Sequence, residues 1–348
     1  MLIQENVPLA PLTTLKVGGT ARYFVEAKTI AEVNEAAAFA RSRDLALFVL
    51  GGGSNVVISD AGWPGLVLRV ALSGIDERTE NGKAVFEVGA GEEWDKFVAR
   101  AVARNCAGVE CLSGIPGSVG GTPVQNVGAY GQEVAETIES VLVLDLRDGQ
   151  VRELCKEACG FSYRTSIFNT CERGRYVILR VTYTLDPGGQ AHIEYADLKR
   201  HFAGWNSIPS LAATREAVRR IRAGKGMLIT PGDEDCRSAG SFFKNPVLSA
   251  DRHAELRDRA KAKGLQVPSY PALEALHKVS AAWLVEHSGF SRGYSNGAAG
   301  ISRKHALAIV NRGNATAANI VSLKEDIQQR VEQIWGIHLE PEPVFVGF

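Results

Sequence analysis

Residues 113–131 read Ser-Gly-Ile-Pro-Gly-Ser-Val-Gly-Gly-Thr-Pro-Val-Gln-Asn-Val-Gly-Ala-Tyr-Gly, and no other stretch restricts the fold as much. Six glycines and two prolines mark it as a loop rather than a helix or a central strand. A solvent loop this long ordinarily carries charge, and this one has no Asp, Glu, Lys or Arg. It is expected to lie against an uncharged planar or phosphate-bearing ligand, or, on the plainer reading, against the protein's own interior. A second run, Gly51-Gly52-Gly53-Ser54-Asn55, follows the apolar Leu45-Ala46-Leu47-Phe48-Val49-Leu50. That order suits a buried strand entering a sharp turn. Glycines there let backbone N–H groups approach phosphate oxygens because no Cβ intervenes, and Ser54 and Asn55 add side-chain donors. A bare Gly-rich turn with Asn in a left-handed position explains the run equally well. It is neither a Walker A motif nor G-x-G-x-x-G.

Around these loops the periodicity changes along the chain. Thr29-Ile30-Ala31-Glu32 fits a capping box ahead of Val33, Ala36, Ala37 and Ala40 at helical spacing. Residues 65–70 and 84–88 read as strands, and Trp94, Phe97, Val98, Ala101 and Val102 form one face of a helix. From about 138 to 186 the pattern is mainly β, with strands over 140–146 and 176–185 and a hairpin signal at Asp148-Gly149. Helices follow near 214–223, 280–287 and 316–335, the last with Ile320, Leu323, Ile327, Val331 and Ile334 on one stripe. A chain of 348 residues exceeds one core. Three units are expected: 1–72, to which the extreme C-terminus returns, 73–210 and 211–348.

Lys plus Arg and Asp plus Glu balance at 39 each, which gives no basic footprint for nucleic acid and no sign of a membrane-surface protein. No apolar run approaches the roughly 20 residues that span a bilayer, and the N-terminus lacks a signal-peptide pattern. The six cysteines form no C-x-x-C pair, so a metal site is not expected and reduced thiols in the cytoplasm are.

Three further segments hold candidate chemistry. Arg164 sits in Phe161-Ser162-Tyr163-Arg164-Thr165-Ser166-Ile167-Phe168 and, if buried, must be paired or aimed at an anion. A surface Arg packed on Tyr163 or Phe168 is the bland alternative. Ser241, in Gly240-Ser241-Phe242-Phe243-Lys244-Asn245-Pro246, presents a hydroxyl beside two aromatics but not in a G-x-S-x-G elbow, so a hydrolase nucleophile is not indicated. Alone it reads as a structural Ser. The tail Leu339-Glu340-Pro341-Glu342-Pro343-Val344-Phe345 holds two carboxylates between prolines, which in a tail ordinarily serve solubility.

Taken in this order, together with Gly89-Ala90-Gly91-Glu92, these segments resemble the UDP-N-acetylenolpyruvoylglucosamine reductases over almost the whole chain. The resemblance implies an α+β, FAD-binding fold of the vanillyl-alcohol-oxidase (PCMH) type in two subdomains, plus a C-terminal α+β substrate domain. It implies NADPH-dependent reduction of the enolpyruvyl sugar nucleotide to UDP-N-acetylmuramate, a step of peptidoglycan precursor synthesis. FAD would be non-covalent, since none of the seven histidines lies in the two glycine-rich loops. Gly51, Gly52, Gly53, Ser54 and Asn55 would hold its pyrophosphate. Ile115, Pro116, Gly117, Ser118, Gly121, Thr122 and Gly128 would line its adenine, ribose and isoalloxazine.

By the same resemblance, hydride passes from flavin N5 to substrate C3 and Ser241 protonates C2. Arg164 stabilises the enolate-like carboxylate, and Glu342 assists. Arg222 and Lys225 meet the diphosphate and carboxylate, and Asn245 the sugar nucleotide. Tyr195, in Ile193-Glu194-Tyr195-Ala196-Asp197-Leu198, corresponds to the lid Tyr of the family type with an extra loop. We expect a monomer whose partners are NADPH and the UDP-sugar.

The chain departs from the family at 226–239, which is longer than usual and contains Asp233-Glu234-Asp235, and at Pro343-Val344, where Val-Arg is common. Two rival readings are an FAD-dependent sugar or alcohol oxidase of the same fold and a catalytically silent nucleotide-binding protein. The oxidase would need a base near N5 rather than Ser241 as acid. Intact Arg164, Ser241 and Glu342 argue against decay.

Overall fold

A computed structural model describes residues 1–271 and 276–348. The chain clusters into two compact units, one of Met1–Val7, Ala21–Gly53 and Trp63–Ile229, the other of Pro8–Thr20, Ser54–Gly62 and Thr230–Phe348. This division differs from boundaries near 72 and 210. Buried residues on both sides of 72, from Val25 and Leu68 to Phe86 and Tyr183, belong to one continuous core, and the helix that begins at Leu211 stays with the first unit.

In the first unit, Thr20–Ala27, Trp63–Val70 and Leu47–Leu50 pair in parallel, with Gln4–Pro8 at the far edge. Parallel neighbours need a crossover, and helix α1 (Ile30–Ser42) supplies it. Thr29 Oγ1 caps α1 by accepting from the Glu32 N–H, while the Glu32 carboxylate accepts from the Lys28 N–H. Leu47–Leu50 is an edge strand, so only Leu50 is fully buried there. An antiparallel sheet follows in the order Val151–Cys155, Ile138–Asp145, Tyr176–Pro187, Lys83–Gly89, Ile75–Glu80. Tyr176–Pro187 runs centrally and buries both faces, which is why its sequence alternation is incomplete. Helix α2 (Trp94–Ala103) packs Trp94 and Phe97 against Tyr183, with ring centroids 5.8 and 4.8 Å away. Two further helices close this unit, α3 (Ala196–His201) and α4 (Leu211–Gly224).

The second unit packs α5 (Ala250–Lys261), α6 (Ala281–Glu286) and α7 (Ala317–Trp335) with short strands. On α7 the buried stripe is Ile320, Leu323, Ile327, Val331 and Trp335; Ile334 is only partly buried because Trp335 takes the inward place. Val344–Val346 pairs in parallel with Val56–Ile58. The C-terminus thus returns to a segment from the first 72 residues, and that segment lies in the second unit. Among the described residues no helix is long and apolar enough to cross a membrane.

Candidate active site and cofactor cleft

The two glycine-rich loops meet in the first unit. A Cβ on Gly52 would lie 2.5 Å from Gly117 Cα, and one on Gly51 would lie 2.8 Å from Ser118 Oγ. Only glycine permits this approach. Gly117, at φ 131°, holds a backbone conformation that L side chains rarely adopt. Gly51, Gly52, Gly114, Ile115, Pro116, Gly117 and Ser118 line a cleft of about 460 Å³. Arg69 and Arg219 line it as well, as do Gly91, Glu93 and Asp95. Backbone approach without Cβ atoms, beside two guanidinium groups, fits a phosphate-bearing group such as FAD.

The remaining residues expected at the cofactor are placed elsewhere. Gly53 is buried with φ 65°. Ser54 and Asn55 belong to the second unit, where Asn55 Nδ2 donates to the Glu342 carbonyl (3.2 Å) and the Asn55 carbonyl accepts from Val344 N–H (2.9 Å). Thr122 turns into the core, its hydroxyl 2.7 Å from that of Tyr183 and donating to the Val119 carbonyl. Gly121 is exposed, its nearest neighbour for a Cβ being Ser118 Oγ at 3.9 Å. Gly128 pairs by strand with Glu133, and its carbonyl accepts from Arg164.

Arg164 is only partly exposed and sits in the left-handed region at φ 55°, a conformation that costs a non-Gly residue of order 1–3 kcal/mol. Nη2 donates to the Gly128 carbonyl at 2.8 Å, Nη1 reaches the Asn126 carbonyl at 3.5 Å, and the Arg164 carbonyl accepts from Asn169 Nδ2 at 3.1 Å. Its guanidinium also lies 5.6 Å from the Tyr163 ring centroid. Arg164 is thus fixed against the end of the glycine-rich loop.

A second cluster in this unit joins the residues expected at the substrate. Tyr195, exposed at the start of α3, meets Tyr130 edge-on at 5.4 Å. Lys225 Nζ is 5.6 Å from the Tyr130 ring centroid and 2.7 Å from Asp197 Oδ2. Arg222 is buried; Nε donates to the Gly114 carbonyl (3.1 Å) and Nη2 to the Met227 carbonyl (2.7 Å). Burial pulls its guanidinium below its usual range, while Tyr130 and Asp95 oppose that shift.

In the second unit Phe242 and Phe243 are core residues and leave Ser241 partly exposed. The segment pairs with the tail: Lys244 N–H donates to the Glu340 carbonyl and Glu342 N–H to the Phe242 carbonyl, each at 2.9 Å. Ser241 and Glu342, far apart in sequence, thereby stand in adjacent segments. The tail's two carboxylates are distinguished as well. Glu340 is exposed and ion-pairs Lys244 at 3.4 Å, whereas Glu342 is partly buried. Asn245 Oδ1 accepts from Ala281 N–H (3.0 Å) at the start of α6.

The long stretch at 226–239 is folded into place. Asp233 accepts from Lys304 Nζ and from the Asp235 N–H, Asp235 accepts from Arg303 N–H, and the Ser238 carbonyl accepts from Thr14. Sequence reasoning missed Arg69, Asp95 and Arg219. The i,i+4 spacing of Arg215 and Arg219 was visible, but their shared partner lies 120 or more residues away. Among the described residues all six cysteines are free, and no cluster of three or more His, Cys, Asp or Glu side chains is placed to hold a metal.

Comparison with known proteins follows this division of the chain. Residues 21–154 match an FAD binding domain, and residues 231–346 match the C-terminal domain of UDP-N-acetylenolpyruvoylglucosamine reductase. The chain is 45% identical to the UDP-N-acetylenolpyruvoylglucosamine reductase of Thermobifida fusca, covering 99% of this chain and 98% of that one. It is 45% identical to the enzyme of Streptomyces coelicolor, covering 99% and 91%. Among solved structures, UDP-N-acetylenolpyruvylglucosamine reductase from Thermus caldophilus aligns over 99% of this chain and 100% of that one, with a TM-score of 0.67 and 27% identity. The α+β FAD-binding fold expected from the sequence is the fold these matches give.

Proposed function

Because this chain belongs to the UDP-N-acetylenolpyruvoylglucosamine reductase family, we propose that it reduces UDP-N-acetylenolpyruvoylglucosamine to UDP-N-acetylmuramate with NADPH, through FAD held without a covalent bond. When bound, FAD would supply the two-electron hydride chemistry between NADPH and the enolpyruvyl group. The observation that best supports the reading is the hydrogen bond from Glu342 N–H to the Phe242 carbonyl, which sets Ser241 and Glu342 in neighbouring segments.

Ser241 Oγ carries the proton that C2 receives, which completes saturation of the C2–C3 bond. A hydroxyl is a weak acid, so this role requires the developing charge to be stabilised as the proton leaves. Arg164 serves the substrate carboxylate, as a planar donor fork suits that group, and its backbone strain with two carbonyl contacts supports a fixed direction. Glu342 assists Arg164 at that carboxylate. Lys225, Arg222 and Asn245 recognise the sugar nucleotide, and Tyr195 covers it.

Anaerobic stopped-flow of the two half-reactions tests the assignment. Ser241→Ala should leave flavin reduction by NADPH within about twofold and slow reoxidation by the enolpyruvyl substrate by at least 100-fold, the scale of a lost general acid. Equal losses in both half-reactions would remove Ser241 from the proton-donor role.

A further inference from the structure

Gly114 stands at the head of the loop that lines the cofactor cleft, and its peptide groups are held from two sides. Its N–H donates to Asp95 Oδ1 at 2.6 Å, from the first turn of α2. Its carbonyl accepts from Arg222 Nε at 3.1 Å, from α4. Gly114 has φ 72°, and a Cβ there would meet Leu228 Cδ1 at 2.8 Å. The loop is therefore fixed by hydrogen bonds at a left-handed position that favours glycine.

Asp95 does more than accept one amide. Arg215 approaches it as a fork at 2.6 and 2.9 Å, and Arg219 Nη1 bonds its second oxygen. Four donors meet one carboxylate, which fills the acceptor capacity of its two oxygens. Arg219 lines the cleft beside it. We propose that Asp95 is a positioning residue for cofactor binding: it ties Gly114 and the Ile115–Ser118 lining to α4 and holds Arg215 and Arg219 in place, without touching substrate.

The inference rests on the reading that this cleft takes FAD. A purely electrostatic role predicts the opposite sign, because removing a negative charge from the cleft would favour a diphosphate ligand. Positioning predicts weaker binding, because the loop loses its charge-assisted anchor and two guanidinium groups lose their common counter-ion.

The test is FAD titration of apoprotein, followed by flavin fluorescence, with thermal unfolding of the apoprotein measured in parallel. Asp95→Asn should raise the FAD Kd at least tenfold. Arg215→Met should raise it by a smaller factor, since Arg219 still holds Asp95. The double variant should match Asp95→Asn alone, because both act through one contact. Unchanged or tighter FAD binding by Asp95→Asn overturns the proposal, as does strict additivity in the cycle. An apoprotein melting shift with an unaltered FAD Kd, the signature of a merely structural role, overturns it too. If Asp95→Asn fails to fold, an unchanged Kd in Arg215→Met decides against it. Wild-type protein that binds no FAD would instead sink the cofactor assignment and is distinguishable on that ground.

Discussion

Glu110 is fully buried, and its carboxylate accepts from three donors: Gly108 N–H at 2.8 Å, and Gln132 Nε2 and His192 N–H at 2.9 Å each. A buried charge persists only with such satisfaction. These bonds join the end of the glycine-rich loop to the segment that leads into Tyr195, so one side chain sets the base of both. Glu110→Ala would leave three donors unpaired, the Gln132 amide buried and the Gly108 and His192 N–H groups partly buried, at up to about 1–3 kcal/mol each before relaxation. We expect at least 3 kcal/mol of destabilisation in urea unfolding, and Glu110→Gln should recover part of it. None of this was legible beforehand, because a lone Glu in Val109-Glu110-Cys111 reads as a surface residue. Arg164, by contrast, was legible as a residue needing a partner, and main-chain carbonyls at Gly128 and Asn126 are among its partners.

At the scale of elements, the cleft proposed for the cofactor depends on two loops touching without Cβ atoms. Gly52→Ala would put a methyl group 2.5 Å from Gly117 Cα and 2.9 Å from Ser118 N, both backbone atoms with little freedom to retreat. The loops should separate, and the FAD Kd should rise at least tenfold in an equilibrium titration while far-UV circular dichroism is unchanged. Helices with strong periodicity and clear caps were readable to within a few residues, as α1 and α7 illustrate. Two longer elements, α5 and the strand Thr20–Ala27, also went unnamed; many of the others are short, since α3 has six residues and several strands have two or three. Elements of that length cannot show a period and owe their form to what they pack on.

On the scale of the whole molecule, the hydrophobic cores of the described residues include one from Val25 to Leu185 and one with Leu15, Phe242 and Trp335. Trp335 is buried, 4.9 Å from the Trp283 ring, and its Nε1 donates to Ser288 Oγ at 3.0 Å. Trp335→Ala should cost about 3–5 kcal/mol, read as a lowered urea midpoint by circular dichroism. By itself the sequence determined the mixture of helix and strand, the main helices and the two glycine-rich loops, because these rest on composition and spacing within short windows, and it carried the motifs by which the chain resembles its family. Only the tertiary structure decided that Asn55 joins the tail at Glu342, that Thr122 faces Tyr183, that Asp95 and Arg222 meet at Gly114, and that Arg215 pairs with Asp95. All but one of those contacts close a loop of roughly 60 to 290 residues. The exception is Gly114 N–H to Asp95, 19 residues apart. Pairings across such separations are selected by packing and by the need to satisfy buried polar groups, and no local pattern records them.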